Sequence, residues 1–143
     1  MIRNVVCAVD GSVMSIRAID VAVQLAVQLG AALTFLHVER ANRAGMARSP
    51  FWDSRLVEAA DAQTHRVLGT ALESAKRQAL SAVTCATVQA EDIGEAIVGF
   101  AEDRGAQLIV LGSVGLTGIA RVLVGSVAQD VVAKAHCPVV VAR

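Results

Sequence analysis

Along the whole chain, short apolar runs alternate with longer stretches in which apolar residues recur every three or four positions. The first run, Asn4 to Val9, is branched and unbroken, and it reads as a buried strand ending at Asp10-Gly11-Ser12. From about Ser15 to Leu29 the positions Ile16, Ile19, Val23, Ala26 and Val27 trace one helix face, with Ser12 or Ser15 as cap and Gly30 as stop. A second strand spans Ala32 to Val38. Arg40 to Ser54 is the least regular segment, with Gly45, Pro50 and several charges. A long helix over about Arg55 to Leu80 carries Leu56, Ala60, Val67, Leu68, Ala71, Leu72, Ala75 and Ala79 on one face. Gly69 weakens it by about 1 kcal/mol relative to alanine. Val83 to Gln89 is a third strand. Ile93 to Asp103 is a helix with the inward stripe Ile93, Ile97, Phe100 and Ala101, and Gly105 stops it. Leu108 to Leu111 is a fourth strand, Ser126 to His136 the last helix and Pro138 to Ala142 the last strand.

Five strands alternating with helices predict parallel strands joined by right-handed crossovers. The expected fold is α/β, a single-domain, Rossmann-like, doubly wound sheet of five parallel strands with helices on both faces. In the order 3-2-1-4-5, strands one and four are neighbours where the winding reverses, and ligands bind beyond the carboxyl ends at such a point. The two ends are Asp10 and Gly112. The sequence turns from apolar to unusual at the same two places.

Composition narrows the picture. A chain of 143 residues suits one domain that buries about two thirds of its unfolded surface. Hydrophobic residues make up 55% and aromatics 3%, so the core must be built from Val, Ala, Leu and Ile. The 13 basic and 13 acidic residues cancel, leaving no field of one sign for nucleic acid or an anionic membrane, and neither is expected as a partner. No apolar run approaches the roughly 18 residues of a membrane span, and the N-terminal run is too short for a signal peptide. Cys7, Cys85 and Cys137 lack metal-ligand spacing and read as small buried hydrophobes in a reducing compartment, the cytoplasm.

The candidate chemistry lies in Leu108 to Val127, LIVLGSVGLTGIARVLVGSV. The strand breaks at Gly112, the loop carries Gly115, Gly118 and Gly125, and Ser126 stands where the last helix begins. Backbone N–H groups at a helix start, with the helix dipole behind them, attract anions. The expected ligand group is the phosphates of a nucleotide. Gly112, Gly115 and Gly125 let the backbone bend and approach closely. Ser126 offers its hydroxyl, and the N–H groups of Ser126 and Val127 point the same way. Asp10 is placed for ribose hydroxyls or a magnesium ion. Plainer readings stand beside these. Ser126-Val127-Ala128-Gln129 also fits a capping box, and Asp10 also fits an Asx turn or a helix cap. Gly118 reads as turn chemistry and His37 as a packed histidine, while His65 and His136 have no metal partner in spacing. Phe51-Trp52 suits either a cover for a ligand or partner or packing at the sheet edge.

The spacing Gly112-x2-Gly115-x9-Gly125-Ser126 resembles the nucleotide-binding signature of the universal stress protein family. Val9-Asp10-Gly11-Ser12 resembles that family's first motif. His37-Val38, the segment from Gly105-Ala106 to Gly112-Ser113, and Cys137-Pro138-Val139-Val140-Val141 match further. The likeness spans essentially the whole chain and is weakest from Arg40 to Ala82. It implies ATP as the ligand, with Ala8 and Val38 lining the adenine pocket and backbone atoms of Leu111 contributing. Ala8 stands where relatives often have proline, and Glu91 where they often have glycine. Val114 and Leu116 replace a histidine and a basic residue, which leaves Arg121 or Arg17 to supply charge. The likeness also implies a homodimer through strand 138–142, an apolar edge open to pairing. No Gly-x4-Gly-Lys-Ser/Thr loop, no S-G-G-x-D-S loop and no catalytic triad spacing is present. A binding or signalling module with at most slow ATP hydrolysis is therefore expected. The alternatives are an adenylyl- or phosphoryl-transfer enzyme and a dimer that acts through protein contacts without nucleotide.

Overall fold

Strand and helix alternate as the apolar pattern requires. The computed structural model describes residues 1–41, 54–115 and 124–143, with 54–61 described by backbone alone. The elements are β1 (Asn4–Ala8), α1 (Val13–Leu29), β2 (Ala32–Arg40), α2 (Ser54–Arg77), β3 (Val83–Ala90), α3 (Ile93–Asp103), β4 (Leu108–Gly112), α4 (Ser126–Lys134) and β5 (Val139–Ala142). All strand pairs are parallel and the order is β3-β2-β1-β4-β5, so the predicted fold is the observed one. Side chains alternate across the sheet and so feed two cores. Val5, Cys7, Leu33, Phe35 and Val110 pack under α1 and α2. Val6, Leu36, Ile109 and Leu111 pack under α3 and α4.

Local chemistry sets the element ends. Ser12 is the N-cap of α1, its Oγ accepting from Ser15 N at 3.1 Å, and Gly30 closes the helix in the left-handed region at φ +64°. Two boundaries differ from the sequence reading. β2 runs on to Glu39 and Arg40 because both stay in register with Gln89 and Ala90 of β3. α2 ends at Arg77, and Ala79 lies beyond it at φ 56° and exposed. No described helix is long and apolar enough to cross a membrane.

The buried stripe of α1 departs from the expected one. Ser15, Ala18, Ile19, Ala22, Val23 and Ala26 are buried, whereas Ile16 is 45% and Val27 43% exposed. Ala18, Ala22 and Ala26 let the helix backbone approach the sheet, and Ile16 and Val27 are turned to the flank. On α2 the same selection buries Val67, Ala71 and Ala75 and leaves Leu72 exposed. The cysteines also divide. Cys7 is buried in β1, where loss of solvent pushes its thiol well above the usual range. Cys137 is half-buried, but Cys85 is exposed, contrary to its expected burial, on β3, an edge strand of the sheet. Gly45, Pro50, Phe51, Trp52, Leu116, Gly118 and Arg121 lie outside the described residues, as do the side chains of Leu56 and Ala60.

The alanine stripe can be tested against the periodicity that misplaced it. Ala18→Leu forces extra volume between α1 and the sheet and should cost about 1–3 kcal/mol. Ile16→Ala, despite its helical spacing, should cost less than about 1 kcal/mol. Urea unfolding midpoints of the two variants would invert that ranking if Ile16 were the core residue.

Candidate functional site

β1 and β4 pair through Val5↔Leu108, Val6↔Ile109 and Cys7↔Val110, which sets their carboxyl ends side by side. A crevice of about 680 Å³ opens there, a size suited to a small-molecule ligand. Ala8, Asp10, Val38, Leu111, Gly112, Gly115, Gly125, Ser126 and Val127 all line it.

The turn from β1 into α1 is internally saturated. Asp10 Oδ1 accepts from Ser12 N at 2.9 Å, an Asx turn, and Asp10 N donates to Ser15 Oγ at 3.0 Å. Gly11 takes φ +84°, which a side chain rarely tolerates, and a Cβ there would meet Val67 Cγ2 at 3.1 Å. The plainer reading of Asp10 therefore holds for one oxygen. Its other oxygen, Oδ2, faces the glycine loop, where a Cβ on Gly115 would come within 2.7 Å of it. Asp10 belongs to the turn and to the crevice wall together.

The glycines divide by role. Gly112 has the first turn of α1 against it, and a Cβ there would lie 2.7 Å from the Met14 carbonyl carbon. Its missing side chain is thus required for helix–strand packing as well as for the loop. Gly115 and Gly125 border the crevice itself, and Gly125 N donates to Ser113 O to close the loop. Ser113 N in turn donates to Ala142 O at 2.7 Å, anchoring the loop to β5.

The N-terminus of α4 settles the capping alternative. Gly125 is the N-cap, with no side-chain capping bond, and Ser126 is the first helical residue. Gln129 Nε2 donates to Val124 O at 2.7 Å and takes no part in a capping box. The box fails because the loop enters the helix one residue earlier than the motif requires. Ser126 consequently stands exposed at the crevice, beside a helix start with orphan N–H groups.

The histidines follow their structural readings. His37 is buried and its Nδ1 donates to Val9 O at 2.8 Å, while His136 Nε2 donates to Ala106 O at 3.1 Å. His65 is exposed on α2. Among the described residues no group of three or more His, Cys, Asp or Glu is set to hold a metal ion. Arg17 does not reach the crevice, because its Nη1 donates to Arg143 O at 2.7 Å. Instead Arg40 lines the cavity. The sequence reading missed it because that reading ended β2 at Val38.

A model of the universal stress protein family matches residues 1–143. The chain belongs to the universal stress protein family. The universal stress protein YxiE of Bacillus subtilis is 30% identical over 148 residues, covering 100% of both chains. A universal stress protein solved in complex with cAMP is similar at TM-score 0.78 and 26% identity, over 99% of this chain and 97% of that one. The universal stress protein from Archaeoglobus fulgidus in complex with dAMP is similar at TM-score 0.70 and 26% identity, over 100% of each chain.

The two glycine roles separate experimentally. Gly112→Ala drives a Cβ into the Met14 backbone and should lower stability by about 1–3 kcal/mol, visible as a depressed Tm. Gly115→Ala presses on a carboxylate terminus that can turn aside, and its Tm should stay close to the parent's. Equal loss in both variants would show that the loop, too, is a rigid packing element.

Proposed function

We propose that this chain is an ATP-binding stress-response module that senses or signals through its nucleotide state and hydrolyses ATP slowly at most. The observation that carries the reading is the convergence of Asp10, Gly115, Gly125 and Ser126 on one crevice at the point where the sheet's winding reverses. Ala8, Val38 and Leu111 supply apolar surface for the adenine. The phosphates take the N–H groups of Ser126 and Val127 and the Ser126 hydroxyl, which no cap competes for. Relatives of the same fold in complex with cAMP and dAMP support an adenine nucleotide as the class of ligand.

Asp10 is the only carboxylate among the described lining residues. One carboxylate suits a magnesium ion held mainly by phosphate oxygens and water, and it does not suit a protein cage for the metal. It also leaves the described crevice without a pair of carboxylates, and His37 there donates from Nδ1 to Val9 O, which favours binding over group transfer. The module works in the cytoplasm as a homodimer. β5 is an outer strand of the sheet with half-buried valines, and pairing it with the same strand of a second copy would satisfy its open edge.

Isothermal titration of ATP with magnesium into nucleotide-stripped protein tests the site. The parent should bind, and Gly115→Val should lose at least about tenfold in affinity while keeping its circular dichroism spectrum. Unchanged binding in the variant would move the ligand elsewhere. Absence of binding by the folded parent would favour the dimer that acts through protein contacts alone.

Sedimentation velocity tests the assembly. A dimer is expected at micromolar concentration, shifted towards monomer by Val141→Pro, which removes a backbone donor from the open edge, since Pro138 O and Ala142 O on either side of it face β4. A parent that sediments only as the 14.8 kDa species would end the dimer reading.

A further inference from the structure

Arg40 is the one Lys or Arg side chain among the described residues of the crevice wall. Its backbone is fixed, since it pairs with Ala90 of β3 and Ala41 N beyond it donates to Ala90 O at 2.9 Å. Strand alternation puts it on the face of Val38, two residues earlier, which packs against the α3 and α4 layer. The intervening Glu39 faces the other way and is tied there by Thr64 Oγ1 at 2.5 Å and Gln89 Nε2 at 3.4 Å. Arg40 therefore lines the β2 side of the cavity with Val38, and the α3 residues that line it, Ile93 and Ile97, are uncharged. The phosphate cradle lies off β4, with β1 between it and β2, roughly 10 Å away across two strand spacings.

We infer that Arg40 reads the N7 and position-6 edge of a bound purine and thereby sets the crevice's choice between 6-amino and 6-oxo bases. The inference rests on the crevice holding a nucleotide. A guanidinium carries five donors and no acceptor. Every purine offers N7 as an acceptor at that edge. Adenine places an amino donor beside N7, which leaves a second guanidinium N–H without a partner. Hypoxanthine and guanine place O6 there, an acceptor that completes the two-pronged bond by which arginine distinguishes purines. Arg40 thus favours 6-oxopurines relative to a crevice without it, on top of whatever preference the strand backbone imposes.

Inosine and adenosine triphosphates differ only in the chemistry around position 6, so their affinity ratio isolates this contact. Calorimetric titrations of ATP, inosine triphosphate and inorganic tripolyphosphate would be run with the parent, Arg40→Met and Arg40→Lys. In Arg40→Met the inosine-to-adenosine affinity ratio should fall about tenfold, with tripolyphosphate binding unchanged. Arg40→Lys, a point donor without the fork, should restore only part of the ratio. An unchanged ratio would overturn the inference, and so would equal weakening of all three ligands, which would put the guanidinium on the phosphates. A parent that binds none of the three overturns the nucleotide reading itself. The position is exposed, so the variants should fold like the parent.

Discussion

The parallel pairing of β1 with β4 is the constraint on which the site depends. The two strands are separated in sequence by about two thirds of the chain, including β2, α2, β3 and α3. Their contact is stabilised from both sides of the sheet, Val5, Cys7 and Val110 filling one core and Val6 and Ile109 the other. Because the crossovers run to opposite sides of β1, a gap is left between the two carboxyl ends. The crevice is what that reversal leaves behind. Asp10 and the Gly112–Gly115 segment face each other because of this pairing.

Close approach then gives the site its precision. α1 rests its first turn on Gly112 and its alanine stripe on the sheet, so the start of the helix and the end of β4 are held at backbone contact. Across the molecule Gly94 of α3 gives way to Asp130 of α4 in the same manner. Such contacts tolerate little movement, since protein interiors are packed to crystal-like density. The N-terminal end of α4 is therefore carried on a stiff frame, although the loop before it is rich in glycine.

Ser12 and Ser15 of the β1–α1 turn are buried and Asp10 is half-buried, so their polar groups must be satisfied locally. Asp10, Ser12 and Ser15 bond to one another's backbone, and Ser12 Oγ also reaches Val114 O at a long 3.5 Å. The same bonds that remove the cost of burying these groups orient Asp10 Oδ2 toward Gly115. An Asx turn and a binding carboxylate are usually weighed as alternatives. Here Oδ1 makes the turn while Oδ2 faces the glycine loop.

The sequence by itself determined the elements, their order in the sheet and the place of the crevice. These follow from local periodicity and from the handedness of crossovers, and both are written in short windows of chain. The spacing Gly112-x2-Gly115-x9-Gly125-Ser126 likewise marked the family, because a place where backbone must approach backbone, as at Gly112, allows few residue types. Tertiary structure alone decided which face of α1 is buried, since Ile16 and Ala18 both satisfy a helical repeat and only the distance to the sheet selects the smaller one. It decided that Ser126 is not a cap, which turns on a one-residue difference in where the loop enters α4. It also decided that Cys85 is exposed and that Arg40 lines the crevice. Both residues belong to apolar or extended runs whose surroundings depend on which strand is an edge and how far its neighbour keeps pairing, and no local window of sequence contains that information.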